Sequence, residues 1–225
     1  LNIIGAVATI WVMRGWTPVQ EARRDKFDWW GAALSTGVLV ALLLAMTTGN
    51  KAGWTSLPIM AAFGGAIGML GTFIWWELRA DAPMLDLRLF KGRTFSLGVS
   101  AAFLTFLGSS AVLFMMPFYL QNVLGYSAKA AGFVVVPGAI CMAIMGTVSG
   151  VLSDRFGWRP FTVGGLASSA MGLLILSFVK EDSSIWMVIP AMILMNTGMG
   201  TFYSPNSSSV MNAVGRAKYG VVSGF

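Results

Sequence analysis

Long apolar runs alternate along the chain with short clusters of charge, and within the runs hydrophobic residues are continuous rather than periodic. Uncharged stretches cover Trp29–Gly49, Trp54–Trp76, Thr94–Ala128, Ala130–Ser153, Pro160–Val179 and Ser183–Val214. An apolar helix needs about 20 residues to cross the hydrocarbon layer of a bilayer. The two longest stretches each hold one such span plus a polar mouth, roughly Phe95–Leu120 and Ser184–Pro205. The pattern therefore predicts six complete membrane-spanning helices, the shortest about 30 Å long. Strands are not expected, because the runs are rich in Ala, Leu, Met and Gly and show no alternation of period two.

Both ends carry shorter apolar pieces. Leu1–Met13 stops at Arg14 and lacks the basic leader and small-residue cleavage site of a signal peptide. It reads as the second half of a span, and Tyr219–Phe225 as the opening of another. The expectation is an internal stretch of a longer polytopic protein.

Composition agrees and narrows the class. Charged residues make up 11% of the chain and hydrophobic ones 56%, whereas a soluble domain carries about 25% charged residues. Mean hydropathy is +0.73. Disorder, a disulfide scaffold and an ordinary soluble enzyme are excluded. There is no His, which removes His-based acid–base catalysis and His-ligated metals. The one Cys, Cys141, lies in an apolar run and reads as packing. No metal site, phosphate-binding loop, carboxylate pair or nucleophile elbow is visible, so neither an enzyme nor an ATP-driven pump is expected.

The positions of the charges predict orientation. Lys and Arg number four in Arg14–Asp28, one in Asn50–Gly53, four in Glu77–Arg93 and one at Lys129. Two follow in Asp154–Arg159, one at Lys180 and two in Gly215–Lys218. The series alternates throughout, so the loops 14–28, 77–93, 154–159 and 215–218 are expected in the cytoplasm. Trp29, Trp30, Trp54, Trp75 and Trp76 mark span ends as an aromatic belt would. The net charge of +6 thus reports topology and attraction to anionic lipid, not a nucleic-acid partner. All nine acidic residues are expected in loops, so no span is expected to bury a carboxylate, although ion-coupled transporters usually place one there.

The most specific motif is GVLSDRFGWRP, Gly150–Pro160, read as a short loop between two spans. Gly150, with Gly146 one turn earlier, suits close helix approach. Asp154 is placed to cap or face the start of the next helix, Pro160 to occupy its first turn, and Arg155 and Arg159 to pair with Asp154 or lipid phosphate. The pattern Gly150, Leu152, Asp154, Arg155, Gly157 and Arg159 resembles the signature cytoplasmic loop of the major facilitator superfamily. MLDLRLFKGRTFSLG (84–98), PFYLQNVLGYSAKAAGFVVVPGA (117–139) and SPNSSSVMNAV (204–214) are similar to stretches of its 14-span drug:proton antiporters.

That resemblance implies an all-α polytopic helical bundle, part of a major facilitator fold. Residues 1–13 would end the N-terminal half, 14–93 would hold two inserted helices with their flanking loops, and 94–225 would begin the C-terminal six-helix half. It also implies alternating-access export of amphipathic or cationic small molecules across the cell membrane. The proton gradient would be the energy source, with no cofactor, and the N-terminal half of the same protein would complete the pathway within the lipid bilayer. In this scheme Asp154, Arg155 and Arg159 form a conformational latch. A metabolite or uptake transporter of the same fold, and a membrane scaffold subunit, are the alternatives.

Two other segments are candidates for a substrate pathway. Around Gly198–Ser209, Asn196, Tyr203 and Asn206 bring polarity to the end of a span, Gly198 and Gly200 permit close packing, and Pro205 can bend the helix. A helix end capped by Ser and Asn accounts for the same residues. Gln121 and Asn122, after Tyr119, lie at the expected external mouth, where pathway lining and the start of a hydrated loop are both compatible with the sequence. Pro137 and Gly138 mark a kink or a tight crossing. The rows Gly64, Gly65, Gly68, Gly71 and Gly164, Gly165, Ser168, Gly172 read as packing faces.

Overall fold

The computed structural model describes Arg14 and residues 27–214. The expectations for Leu1–Met13, for most of 14–28, for the 215–218 loop and for Tyr219–Phe225 lie outside the described residues. Those described form six long helices and no strand: α1 (Trp29–Ala52), α2 (Leu57–Glu77), α3 (Arg93–Phe118), α4 (Ala128–Phe156), α5 (Trp158–Ser177) and α6 (Ile185–Asn212). All six are long and apolar enough to cross a membrane. A 3-10 turn over Leu87–Lys91 precedes α3, and a π-helical turn over Tyr119–Val123 prolongs it. The chain divides into two compact units, Leu1–Met84 and Leu85–Phe225.

In the first unit, α1 and α2 pair as a hairpin. Gly31, Val38 and Ala45 are buried on α1, and Ile59, Ala66 and Phe73 on α2. Each set recurs every seven residues, the repeat of two helices wound in a left-handed crossing. Glycines admit bulk across the seam: Gly37 faces the Met69 sulfur and Gly49 the ring of Trp54. At the end where α1 begins, Asp28 Oδ1 accepts the Gly31 amide (2.8 Å) and the Trp76 indole N–H (2.9 Å). One carboxylate therefore caps α1 and ties it to the end of α2. Trp29 and Trp30 are exposed beside this junction, and Arg79 stacks over Trp75 at 4.4 Å, as expected at a membrane–water boundary.

Two expectations change here. Glu77 is the last residue of α2 and is 0% exposed, so a span end does bury a carboxylate. A charge read as interfacial is drawn inward by the approach of α1 at Gly31, over which the Asp28 and Glu77 carboxyl groups both lie. The row Gly64, Gly65, Gly68 and Gly71 meets nothing within 4 Å, so it does not form the α1–α2 packing face.

The second unit is built on α6, which lies between α4 and α5 and is crossed by α3. Its buried residues include Val188, Met192, Met195, Met199, Phe202 and Val210. Near the start of α6, Val188 and Met192 pack with Met116, Leu120 and Ala131. Near its end, Val210 packs with Phe95. The outward faces of the other helices are apolar, with Leu113 73% exposed on α3. Such a surface is costly in water and suited to lipid. The unit is a multi-pass helical bundle.

Three boundaries shift from expectation. α4 continues to Phe156 and α5 starts at Trp158, so most of the expected 154–159 loop is helix. The break is Gly157 alone, at φ +85°, whose amide closes onto Ser153 O at 2.9 Å. Only glycine adopts that positive-φ, extended-ψ conformation without strain. Gly157 is also the N-cap of α5, with no side-chain capping bond, so Asp154 does not cap the next helix. Finally, α6 runs through Pro205 to Asn212. Gly198–Ser209 is therefore helix interior and not a capped end. A proline is tolerated there because neighbouring helices and hydroxyls accommodate the freed carbonyl.

Candidate functional site

The site is assembled on α6 by small residues on both flanks. Toward α5, a Cβ on Gly165 would lie 2.7 Å from both Gly198 O and Phe202 N, and one on Gly172 would lie 2.5 Å from Met195 N. Backbones this close leave no room for side chains. The hydroxyls of Ser168 and Ser169 donate across the gap to Leu194 O (3.0 Å) and Met195 O (3.2 Å). Toward α4, Gly200 packs against Met142 O and Gly146 N, and the Ser149 hydroxyl donates to Gly200 O at 3.2 Å. Gly138 faces the Asn196 amide and Gly150 the Ser204 hydroxyl. Small residues with interhelical hydrogen bonds are how helices associate without a water-driven hydrophobic force.

These contacts place the candidate residues. Gly146, Gly150, Gly198 and Gly200 are all crossing points. Pro137, one residue before the Gly138–Asn196 contact, lies inside α4. Asn196 donates its amide to Met192 O at 2.8 Å on its own helix. Asn206 is 6% exposed and donates to Gly98 O on α3 at 3.1 Å. That bond commits Asn206 to packing and removes it from any solute path. Tyr203 is half-buried, its ring tilted against Phe202. Gln121 and Asn122 are exposed on the π-helical turn, remote from these crossings in the chain, with the Gln121 amide donating to Pro117 O at 3.2 Å.

One face of α6 remains. Thr197, Thr201, Ser208 and Asn212 follow one another at spacings of four, seven and four and so share a side. Thr197 and Thr201 are half-buried, Ser208 and Asn212 exposed. The Thr201 hydroxyl back-bonds to Thr197 O at 2.8 Å. Sequence reading missed this row because hydroxyls are scattered along the whole segment. Only the positions of α3, α4 and α5 show which of them are left unclaimed.

At the end where α4 meets α5, Leu152 is half-buried, while Asp154, Arg155 and Arg159 are exposed. Arg159 lies over the Trp158 ring at 5.6 Å. Asp154 stands in the last turn of α4, where the helix dipole disfavours a negative charge. Among the described residues no group of three or more His, Cys, Asp or Glu is arranged to hold a metal ion.

An uncharacterized MFS-type transporter, YhcA of Bacillus subtilis, is 31% identical over 93% of the chain and 39% of its own length. The multidrug resistance protein Stp of Mycobacterium tuberculosis is 30% identical over 90% of the chain and 38% of its own length. The riboflavin transporter RibZ of Clostridioides difficile is 29% identical over 92% of the chain and 44% of its own length. The chain thus spans about two fifths of the length of the curated relatives it matches. The family profile of the Major Facilitator Superfamily matches residues 4–225. With that match over a bundle of six membrane-length helices, the chain belongs to the major facilitator superfamily.

Proposed function

We propose that the chain is the central stretch of a secondary transporter, holding the two inserted helices and the beginning of its C-terminal half, that exports amphipathic or cationic small molecules across the cell membrane by alternating access. The observation that carries this reading is the polar row Thr197, Thr201, Ser208 and Asn212 on α6. A bundle whose other outward faces suit lipid gains nothing from presenting amides and hydroxyls to hydrocarbon. The row fits a water-filled path closed on its far side by the N-terminal half of the whole protein. Relatives named for multidrug resistance support drug-like cargo. The relative named for riboflavin favours a second reading, a metabolite transporter of the same architecture.

In this scheme the proton gradient supplies the energy, and no catalytic step is involved. The interiors of α3–α6 carry no ionisable carboxylate or base, since Asp154 and Arg155 lie in the last turn of α4. The coupling carboxylate is accordingly assigned to the N-terminal half. The basic stretches 14–28, 77–93, 154–159 and 215–218 are assigned to the cytoplasmic side by charge. Asp154, Arg155 and Arg159 contribute to the latch on that side.

Cysteine accessibility tests the row. In the whole protein lacking other cysteines, Thr201→Cys and Ser208→Cys are expected to react with a water-soluble maleimide and to be protected by transported dye. Leu113→Cys, on the lipid-suited face, should stay unlabelled. Equal inertness of all three would reject the aqueous path.

A further inference from the structure

The end of α3 is built differently from the other described helix ends in the second unit. Pro117 has no N–H, so the Leu113 carbonyl has no ladder donor four residues on. Two residues later the helix widens into the π turn Tyr119–Val123, closed by Leu124 N to Tyr119 O at 3.1 Å. The Pro117 carbonyl is taken by the Gln121 side chain. Gly125 then adopts a left-handed φ of +69°, and Tyr126 N returns to Leu120 O at 2.9 Å. This stretch is locally weak, and single π turns recur where helices change shape.

Two anchors hold it. Leu120 is 0% exposed among Met116, Ala131, Val188 and Met192. The Tyr119 hydroxyl donates to the Lys180 carbonyl at 2.8 Å, across 61 residues, in the link between α5 and α6. That acceptor is itself set in place. Lys180 N donates to the Ser183 hydroxyl at 2.8 Å, and Ser183 N donates to Lys180 O at 3.2 Å. The turn therefore presents its carbonyl in a fixed direction. Gln121, Asn122 and Val123 lie beyond both anchors and are exposed.

We infer that Tyr119–Val123 is a hinge latched by the Tyr119 hydroxyl on Lys180. With the bond made, the end of α3 is held on the α5–α6 link. With it broken, residues 118–125 re-wind about Pro117, draw Leu120 from its pocket and carry Gln121 and Asn122 to a new position, while α4, α5 and α6 stay packed through their glycine seams. The inference goes beyond the transport reading and needs no solute, so its test reads distance and not activity.

Spin labels at Asn122 and Trp186, both exposed, report the separation of the π turn from the start of α6 in the whole protein in nanodiscs. The parent protein should give one narrow distribution. Tyr119→Phe keeps the ring and removes only the hydroxyl. Loss of one such bond should raise the displaced population about fivefold. Adding Pro117→Ala restores a ladder donor and should reverse much of that rise. A Tyr119→Phe distribution superimposable on the parent's would overturn the latch, and no reversal by Pro117→Ala would overturn the hinge.

Discussion

Gly198→Ala is expected to destabilise the second unit by about 1–3 kcal/mol, the usual cost of overpacking a filled core. In purified protein this should appear as a melting temperature lower by roughly 2–12 °C. The added methyl would meet Ser169 N, and Gly165 O at 2.5 Å. Both are backbone atoms of α5, so no side chain can rotate away and the two helices must separate. Separation also stretches the Ser168 and Ser169 bonds to α6. The same change at Gly164, one residue from the seam, meets nothing within 4 Å. There the better helix propensity of Ala should leave the melting temperature unchanged or slightly raised. Thermal unfolding of the two variants in detergent checks the pair, and equal behaviour would contradict the α5–α6 crossing.

The second large effect concerns function and leaves stability alone. Asp154→Asn is expected to cut transport about 5- to 150-fold, the size of a coupling free energy of 1–3 kcal/mol between conformational states. The folded bundle should be as stable as before or slightly more so. Asp154 is exposed, caps nothing, and stands at a helix C-terminus that disfavours its charge. Among the described residues, nothing accounts for a carboxylate at that position. A residue set against its local preference is what a contact made in only one state of a moving protein would look like. Initial rates and melting temperatures measured on the same preparations separate the two readouts. A variant that lost stability together with transport would make Asp154 structural and remove it from the latch.

The six helices could be read in the sequence because membrane length and continuous apolarity are one-dimensional signals. The start of α1 coincides with the expected Trp29, and α3 and α5 begin within two residues of the expected positions. The errors follow from physics that a run of letters hides. Charge at Asp154 and Arg155 suggested a loop, but the last turn of a membrane helix already lies in the headgroup region and tolerates charge. Pro205 suggested a helix end, but it is fully buried and the helix passes through it. The seven-residue repeats at Gly31, Val38, Ala45 and at Ile59, Ala66, Phe73 were present in the letters. They were masked because the lipid-facing residues between them are equally apolar, which erases the contrast that marks a packing face in water. Partner identity was the least legible feature. The glycine rows at 64–71 and 164–172 look alike in sequence, yet only the second, at Gly165 and Gly172, meets another backbone. The polar row on α6 likewise emerges only by subtracting what α3, α4 and α5 occupy.

The central claim, that this bundle is part of a gradient-driven exporter, is tested most directly by reconstituting the whole protein in liposomes. A cationic dye is loaded on the side of the basic loops, and a pH gradient is imposed with the opposite side acidic. The account predicts dye export that follows the gradient, collapses with a proton ionophore and falls sharply in a Thr197→Phe, Thr201→Phe double variant that still folds. Dye movement indifferent to the gradient and to both substitutions would contradict it.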